Sequence, residues 1–324
     1  MRADLVRCRD TRVLGERLAR YESEVGTLSG IAVDGRRCEF VEHLVDSGHS
    51  SDSLRALAEG HVEGGCSDPS SEDFDPLCAA VSHHRRGDLE EACWLVFLAT
   101  AFDISPIHGW HMVAAVYRRE NEPGLWDWDA ASSDVVLLRE WLQRNRHRFA
   151  GVGFGNHRKF ESLNDRIGVG RTIESYVGWV RRAGTHQTLF EIARQTADPF
   201  DSLFGSMVGN WRFGRLARFD YLCCLEALCI ADFAPRKAYL KGATGPLKGA
   251  RRMYGAPRGT WAGNPLLLDE RLIELEGYLD VGFDVLEDAL CEWQKHPNGP
   301  DAAPCGVRGT LHICSTARKR PRRC

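Results

Sequence analysis

The run YLKGATGPLKGARRMYG, residues 239–255, mixes glycines and a proline with the cations Lys241, Lys248, Arg251 and Arg252. Glycine lets a backbone bend sharply or come close to another group. Cations beside such a bend favour an anion. The candidates are a nucleotide phosphate loop, a surface turn and a clamp on a nucleic-acid backbone. A phosphate loop needs the pattern GxxxxGK, then Ser or Thr, after a buried strand. Here Gly249 follows Lys248, and the preceding segment has helical spacing, which excludes that loop.

A turn between two helices fits better. The helix-hairpin-helix pattern L-P-G-h-G-x-x-x-A finds Leu240, Gly242, Gly245 and Ala250, with one residue inserted. Phe213–Ile230 would supply the first helix and Leu247–Tyr254 the second, with Pro246 at a first helical position, where its missing N–H costs nothing. Exposed amides at such a turn can hold a phosphate. A purely structural turn between helices is the competing reading.

Further candidates flank it. In GFGNHRKFES, Asn156, His157, Arg158 and Lys159 follow Gly153 and Gly155. Such a loop could touch phosphates, or a base edge through Asn156, or simply start a solvated helix. His157 would titrate near neutral pH. In NWRFGRLARFDYL, Arg215 and Arg218 share one helix face, and Asp220 on the apolar stretch is expected to pair with one of them. Asp269 follows an apolar run and is expected to open a helix, where an N-cap is the plain structural role. Glu287 and Asp288 are adjacent on one helix and face different directions, so spacing alone does not make them an acid/base pair. HExxH, GxSxG and metal-ligand clusters are missing from the sequence, and no metal or cofactor is expected.

The elements that must position these groups are helical. Helical spacing is read over 88–102, 107–119, 134–148, 158–164, 170–183, 186–196, 199–207, 212–230, 247–254 and 269–294, with few runs alternating at period two. The expectation is an all-α protein: a helical extension and linker over 1–76, a main helical domain over 77–296 and a basic disordered tail over 297–324. The formal net charge is −3, yet 151–261 holds 17 Lys+Arg against 9 Asp+Glu. A basic segment in an acidic protein suits a local polyanion site. The 12 cysteines contain no CxxC pair and are read as reduced core residues. The first residues, MRADLVRCRD, have no apolar core of a signal peptide, and the apolar run Ala92–Phe102 is too short to span a membrane. A cytoplasmic protein without a membrane partner is expected, as a monomer.

Taken together, FGNHRKFES, ESYVGWV, RFGRLARFDYL, GATGPLKGARRMYG and LEDALCEWQK resemble the clade 3 α-glutamyl/putrescinyl thymine pyrophosphorylase family, over about residues 88–296. The resemblance implies a helical fold like that of the helix-hairpin-helix DNA glycosylases, with a cleft between two lobes. In that fold the hairpin grips the DNA backbone and a catalytic Asp stands at a helix start downstream. Asp269, 21 residues after Lys248, is the matching carboxylate, and Lys248 lies near the position of an alternative nucleophile. The spacing is slightly longer than the glycosylase pattern.

The implied substrate is double-stranded DNA carrying modified bases. The implied reaction flips a hypermodified pyrimidine, such as a glucosylated 5-hydroxymethyl base, from phage DNA and excises it, as in antiphage defence. Lys241, Gly242, Gly245, Arg251 and Arg252 would hold the backbone, with Arg158, Lys159, Arg215 and Arg218 adding charge. Asn156, His157 or Glu287 would read the base or its adduct, and Trp179, Trp211 or Trp293 would stack on it. Two rivals are an amino acid or polyamine:DNA transferase (or pyrophosphorylase) and a non-catalytic DNA-binding module.

Overall fold

A computed structural model describes residues 2–32, 35–60, 64–149, 154–155, 158, 161–164, 166–255 and 263–295. Among these residues there are 15 α-helices, one short 3-10 helix and no strand, so the protein is all-α. The described residues divide into two compact units, 2–52 with 235–295, and 53–234.

Unit 1 is built on α1 (Arg2–Glu24), α13 (Gly245–Met253), α14 (Pro265–Leu279) and α15 (Phe283–Trp293), with most of α2 (Arg36–Glu59). Its core joins Leu14, Leu18 and Tyr21 of α1 to Leu268, Leu272 and Leu275 of α14 and Leu286 and Leu290 of α15. Burying such side chains is the main source of its stability. The single helix expected over 269–294 is two helices. Asp280 and Gly282 take positive φ (51° and 92°) and break the run, and Glu276 Oε1 accepts the amides of Val281 and Gly282 at 3.1 and 2.9 Å. Within the helical extension and linker expected over 1–76, α2 is helical through Glu59.

In unit 2, α5 (Leu89–Phe102) packs against α4 (Pro76–Arg85) and α12 (Arg215–Ala227). Every residue of α5 from Glu91 to Phe102 is buried, which is why its sequence is apolar on all sides. Packed around it are α9 (Val169–Ala183), α10 (His186–Arg194) and α12. They meet in a buried polar chain: the Tyr176 hydroxyl lies 2.7 Å from His186 Nε2 and 2.8 Å from the Tyr221 hydroxyl, and His186 Nδ1 lies 2.6 Å from Glu90 Oε2. Burial pushes the His186 pKa down, against the pull of Glu90. One expectation is corrected here. Cys66 and Cys78 form a disulfide, with Cα atoms 6.0 Å apart, that ties α3 (Gly64–Ser67) to α4. They are not reduced core thiols.

Glu91 sets a pH dependence. Its carboxylate accepts hydrogen bonds from the Tyr117 hydroxyl and the Trp128 amide, both at 2.7 Å. Burial outweighs these bonds and pushes its pKa from 4.5 up to about 7. Below 4.5 the group is protonated in both states. As pH rises from 4.5 to 7 the unfolded chain loses the proton first, so stability falls. The loss amounts to about 3 kcal/mol and levels off above pH 7. Urea unfolding of Glu91→Gln is expected to flatten this part of the stability profile. An unchanged slope would contradict the assignment.

Candidate functional site

The 239–255 segment does not form the expected hairpin between two adjacent helices. α12 ends at Ala227 in unit 2, and residues 228–244 form no helix. Cys229 and Tyr239 take positive φ there, and Pro235 has no amide to donate. What remains is a turn leading into α13. Gly242 supplies φ +83° at that turn, as a glycine should.

The other two glycines do something different. A Cβ on Gly249 would lie 2.2 Å from the Leu290 carbonyl oxygen, and one on Gly245 would lie 2.6 Å from Cys291 Sγ. They stand four residues apart on one face of α13 and let it press against α15. Gly245 is the first residue of α13, so it belongs to this contact and not to the turn.

The cations divide in the same way. Arg251 donates to the Gly263 carbonyl at 2.9 Å. Arg252 donates to the Trp293 carbonyl at 2.9 Å and lies 4.1 Å over the Trp293 ring. Both act as braces of unit 1. Lys241 and Lys248 are exposed, and among the described residues neither has an ion-pair partner. The first turn of α13 carries no side-chain cap. A phosphate at this turn would therefore meet Lys241, Lys248 and uncapped amides.

Asp269 is buried, but it does not open its helix. α14 starts at Pro265, and Asn264 is the cap, its Oδ1 accepting the Leu266 amide at 3.0 Å. Asp269 lies one turn further on and accepts the Leu240 amide on both oxygens, at 3.2 and 3.1 Å. It therefore holds the strand of chain that enters the Lys241–Gly242 turn. Glu287, on α15, is buried as well. α13 packs on both carboxylate-bearing helices.

Unit 2 holds the remaining candidates. Asn156, His157 and Lys159 lie outside the described residues. Arg158 is drawn inward: its Nε donates to the Thr100 carbonyl at 3.0 Å and its guanidinium lies 5.7 Å over Phe213. Burial lowers its pKa, and the carboxylates of Asp220, Asp103 and Glu161 oppose that shift. Asp220 thus has Arg158 as a neighbour. Gly155 is required by close approach, because a Cβ there would lie 2.4 Å from Asp103 Cγ. The helix expected over 158–164 is absent from 161–164.

Arg215 is buried against Phe219, 4.6 Å over its ring, and Arg218 donates to the Phe204 carbonyl at 2.8 Å while lying 4.3 Å over that ring. Trp179 and Trp293 belong to the core. Trp211 is 40% exposed, with Arg171 5.5 Å over its ring. It is the one of the three with a surface to offer a base.

Sequence reading missed a cavity of about 480 Å³ in unit 2. Met112, Phe149, Phe154 and Leu163 form its apolar part; exposed Arg146, His147 and Asn164 form its polar part. Its residues come from α6 (His111–Tyr117), the 3-10 helix Arg146–Phe149 and the loop before α9, so no single motif announced it. Among the described residues no group of His, Cys, Asp and Glu could hold a metal ion, and no helix is long and apolar enough to cross a membrane. The chain matches no curated protein and no solved structure. Residues 35–299, most of the chain and both units, match the family described as alpha-glutamyl/putrescinyl thymine pyrophosphorylase clade 3, and the chain belongs to that family.

Proposed function

We propose that this protein is a DNA glycosylase-like enzyme that excises a hypermodified pyrimidine from phage DNA and leaves an abasic site, as a defence against phage. The family name already speaks of an enzyme of modified thymine. The observation that supports excision is the buried carboxylate of Asp269, held on both oxygens by the amide that enters the Lys241–Lys248 turn. In this reading the two lysines and the uncapped amides hold a backbone phosphate. The bond from C1′ to the base nitrogen breaks, and the electron pair leaves with the base. Asp269 stabilises the cation that develops at C1′ and orients water, whose oxygen bonds C1′ and whose proton neutralises the departing base. Lys248 is the alternative nucleophile, and Glu287 a second buried carboxylate in the same unit.

A second reading has equal support in the family name. A pyrophosphorylase or amino acid/polyamine:DNA transferase would break the bond between the 5-methylene carbon and a diphosphate and form a carbon–nitrogen bond to an amine. Duplex DNA containing 5-hydroxymethyl, glucosylated or diphosphorylated pyrimidines separates the two. Excision predicts free base and alkali-labile sites. Transfer predicts released pyrophosphate and incorporation of labelled amine, with the base still attached to its sugar. If neither set of products forms, both readings are overturned.

A further inference from the structure

Trp211 is 40% exposed, yet it is held in place. Its amide donates to Ser175 Oγ at 2.8 Å, and its indole Nε1 reaches the Ile167 carbonyl at 3.5 Å. The Arg171 guanidinium lies 5.5 Å over the ring. Arg212, the next residue, takes a φ of 51°, a left-handed conformation that costs about 1–2 kcal/mol. Its Nη1 also reaches the Ile167 carbonyl, at 3.5 Å, and its Nε donates to Glu161 at 3.1 Å. Packing alone does not account for an indole fixed half in water by a strained turn.

The loop 161–168 joins this ring to a row of cations. It is closed on itself: Val169 N donates to the Ser162 carbonyl at 2.8 Å, and Gly168 N to the Asn164 carbonyl at 2.7 Å. Ile167, 52% exposed, is the edge of the loop beside Trp211. Arg166 and Asn164 are exposed on it, and Asn164 Oδ1 accepts the Arg166 amide at 2.9 Å. Asn164 shares the rim of the cavity with exposed Arg146. Among the described residues neither Arg146 nor Arg166 has a carboxylate partner. Arg171 has one but shares it: Glu174 Oε2 takes Arg139 Nη1 at 3.1 Å and Arg171 Nε at 3.2 Å. From Arg146 through Arg166 to Arg171 and Trp211, the described cations outnumber the carboxylates that meet them.

Cations beside an exposed, fixed ring fit an unpaired nucleotide strand. The cations meet backbone phosphates, and the ring meets the face of a base. A duplex keeps its base faces stacked inside and offers this surface phosphates alone. We propose that this surface of unit 2 binds single-stranded DNA, with Trp211 stacked on one unpaired base and Arg146, Arg166 and Arg171 on the phosphates beside it. The thymine in the family's description favours DNA over RNA. Every base has a face to stack, so the surface holds a strand without choosing a modification. It takes no part in bond breaking, and the proposal does not rest on the reading of Asp269.

The test is fluorescence anisotropy of the full-length protein with three labelled probes. They are oligo(dT) of about 15 nucleotides, within the usual span of a single-strand site, its duplex with oligo(dA), and oligo(U) of the same length. Trp211→Ala should weaken oligo(dT) about tenfold and leave the duplex within about twofold, since one base stack is lost and no phosphate contact. Trp211→Phe keeps a ring and should retain most of the affinity. The double variant Arg146→Gln, Arg166→Gln changes only exposed side chains. It should reduce the slope of log affinity for oligo(dT) against log salt by about 1.4, two phosphate contacts on a single strand. Lys241→Gln with Lys248→Gln should leave oligo(dT) binding unchanged. No binding of oligo(dT), equal losses of oligo(dT) and duplex in Trp211→Ala, an unchanged salt slope in the arginine variant, or tighter binding of oligo(U) overturns the proposal. Base release from modified duplex DNA is a separate readout: its failure defeats the proposed function and leaves this surface standing.

Discussion

Gly249→Ala is expected to destabilise unit 1 by about 3 kcal/mol, among the larger costs of overpacking. The added Cβ would sit 2.2 Å from the Leu290 carbonyl oxygen and 2.9 Å from its carbon. These are backbone atoms of α15 and cannot rotate away. The helices must separate, and the buried contacts of Ala250, Met253 and Leu290 loosen with them. Gly245→Ala meets the Cys291 side chain, which can move, so its cost should be smaller. Gly277→Ala is the control. It lies on an exposed part of α14 with no atom within 4 Å, and alanine there should stabilise by up to about 1 kcal/mol. Urea unfolding followed by tryptophan fluorescence measures all three. Wild-type stability in Gly249→Ala would contradict the close α13–α15 contact.

Asp269→Asn is expected to lower base release by about 10²–10³-fold and to leave DNA binding intact. Asparagine keeps one oxygen to accept the Leu240 amide, so the chain entering the turn stays tied. What it removes is the negative charge beside the developing cation. Asp269→Ala removes both and should also weaken binding, because nothing then holds the segment that carries Lys241. Single-turnover kinetics and a gel-shift titration on the same DNA separate the two effects. A purely structural Asp269 would show parallel losses in both assays, or none in the asparagine variant.

Much of the architecture could be read from local pattern. The all-round apolar stretch of α5 announced a buried helix, and every residue from Glu91 to Phe102 is buried. The ends of α9, α10 and α11 (Pro199–Ser206) fall within two residues of their sequence limits, since caps such as Thr185 and Asp198 are local signals. What spacing could not give was purpose. Glycines that bend a chain and glycines that admit a neighbouring helix look alike in sequence, and only Gly242 proved to be of the first kind within the turn. Arginine is similarly ambiguous. The spacing of Arg251 and Arg252 suits a phosphate, yet their partners are carbonyls and a tryptophan ring of the same unit. The apolar run before Asp269 suggests a helix start there, yet Asn264 with Pro265 is the stronger one. The Cys66–Cys78 pair and the cavity join residues by tertiary packing, which no local pattern records.

The most direct measurement of the central claim is mass spectrometry of the small molecules released when the protein is incubated with phage DNA, modified and unmodified in parallel. Excision predicts a free modified pyrimidine, with one abasic site per base released, from the modified DNA only. Modified DNA that stays intact, with no free base in solution, would contradict it.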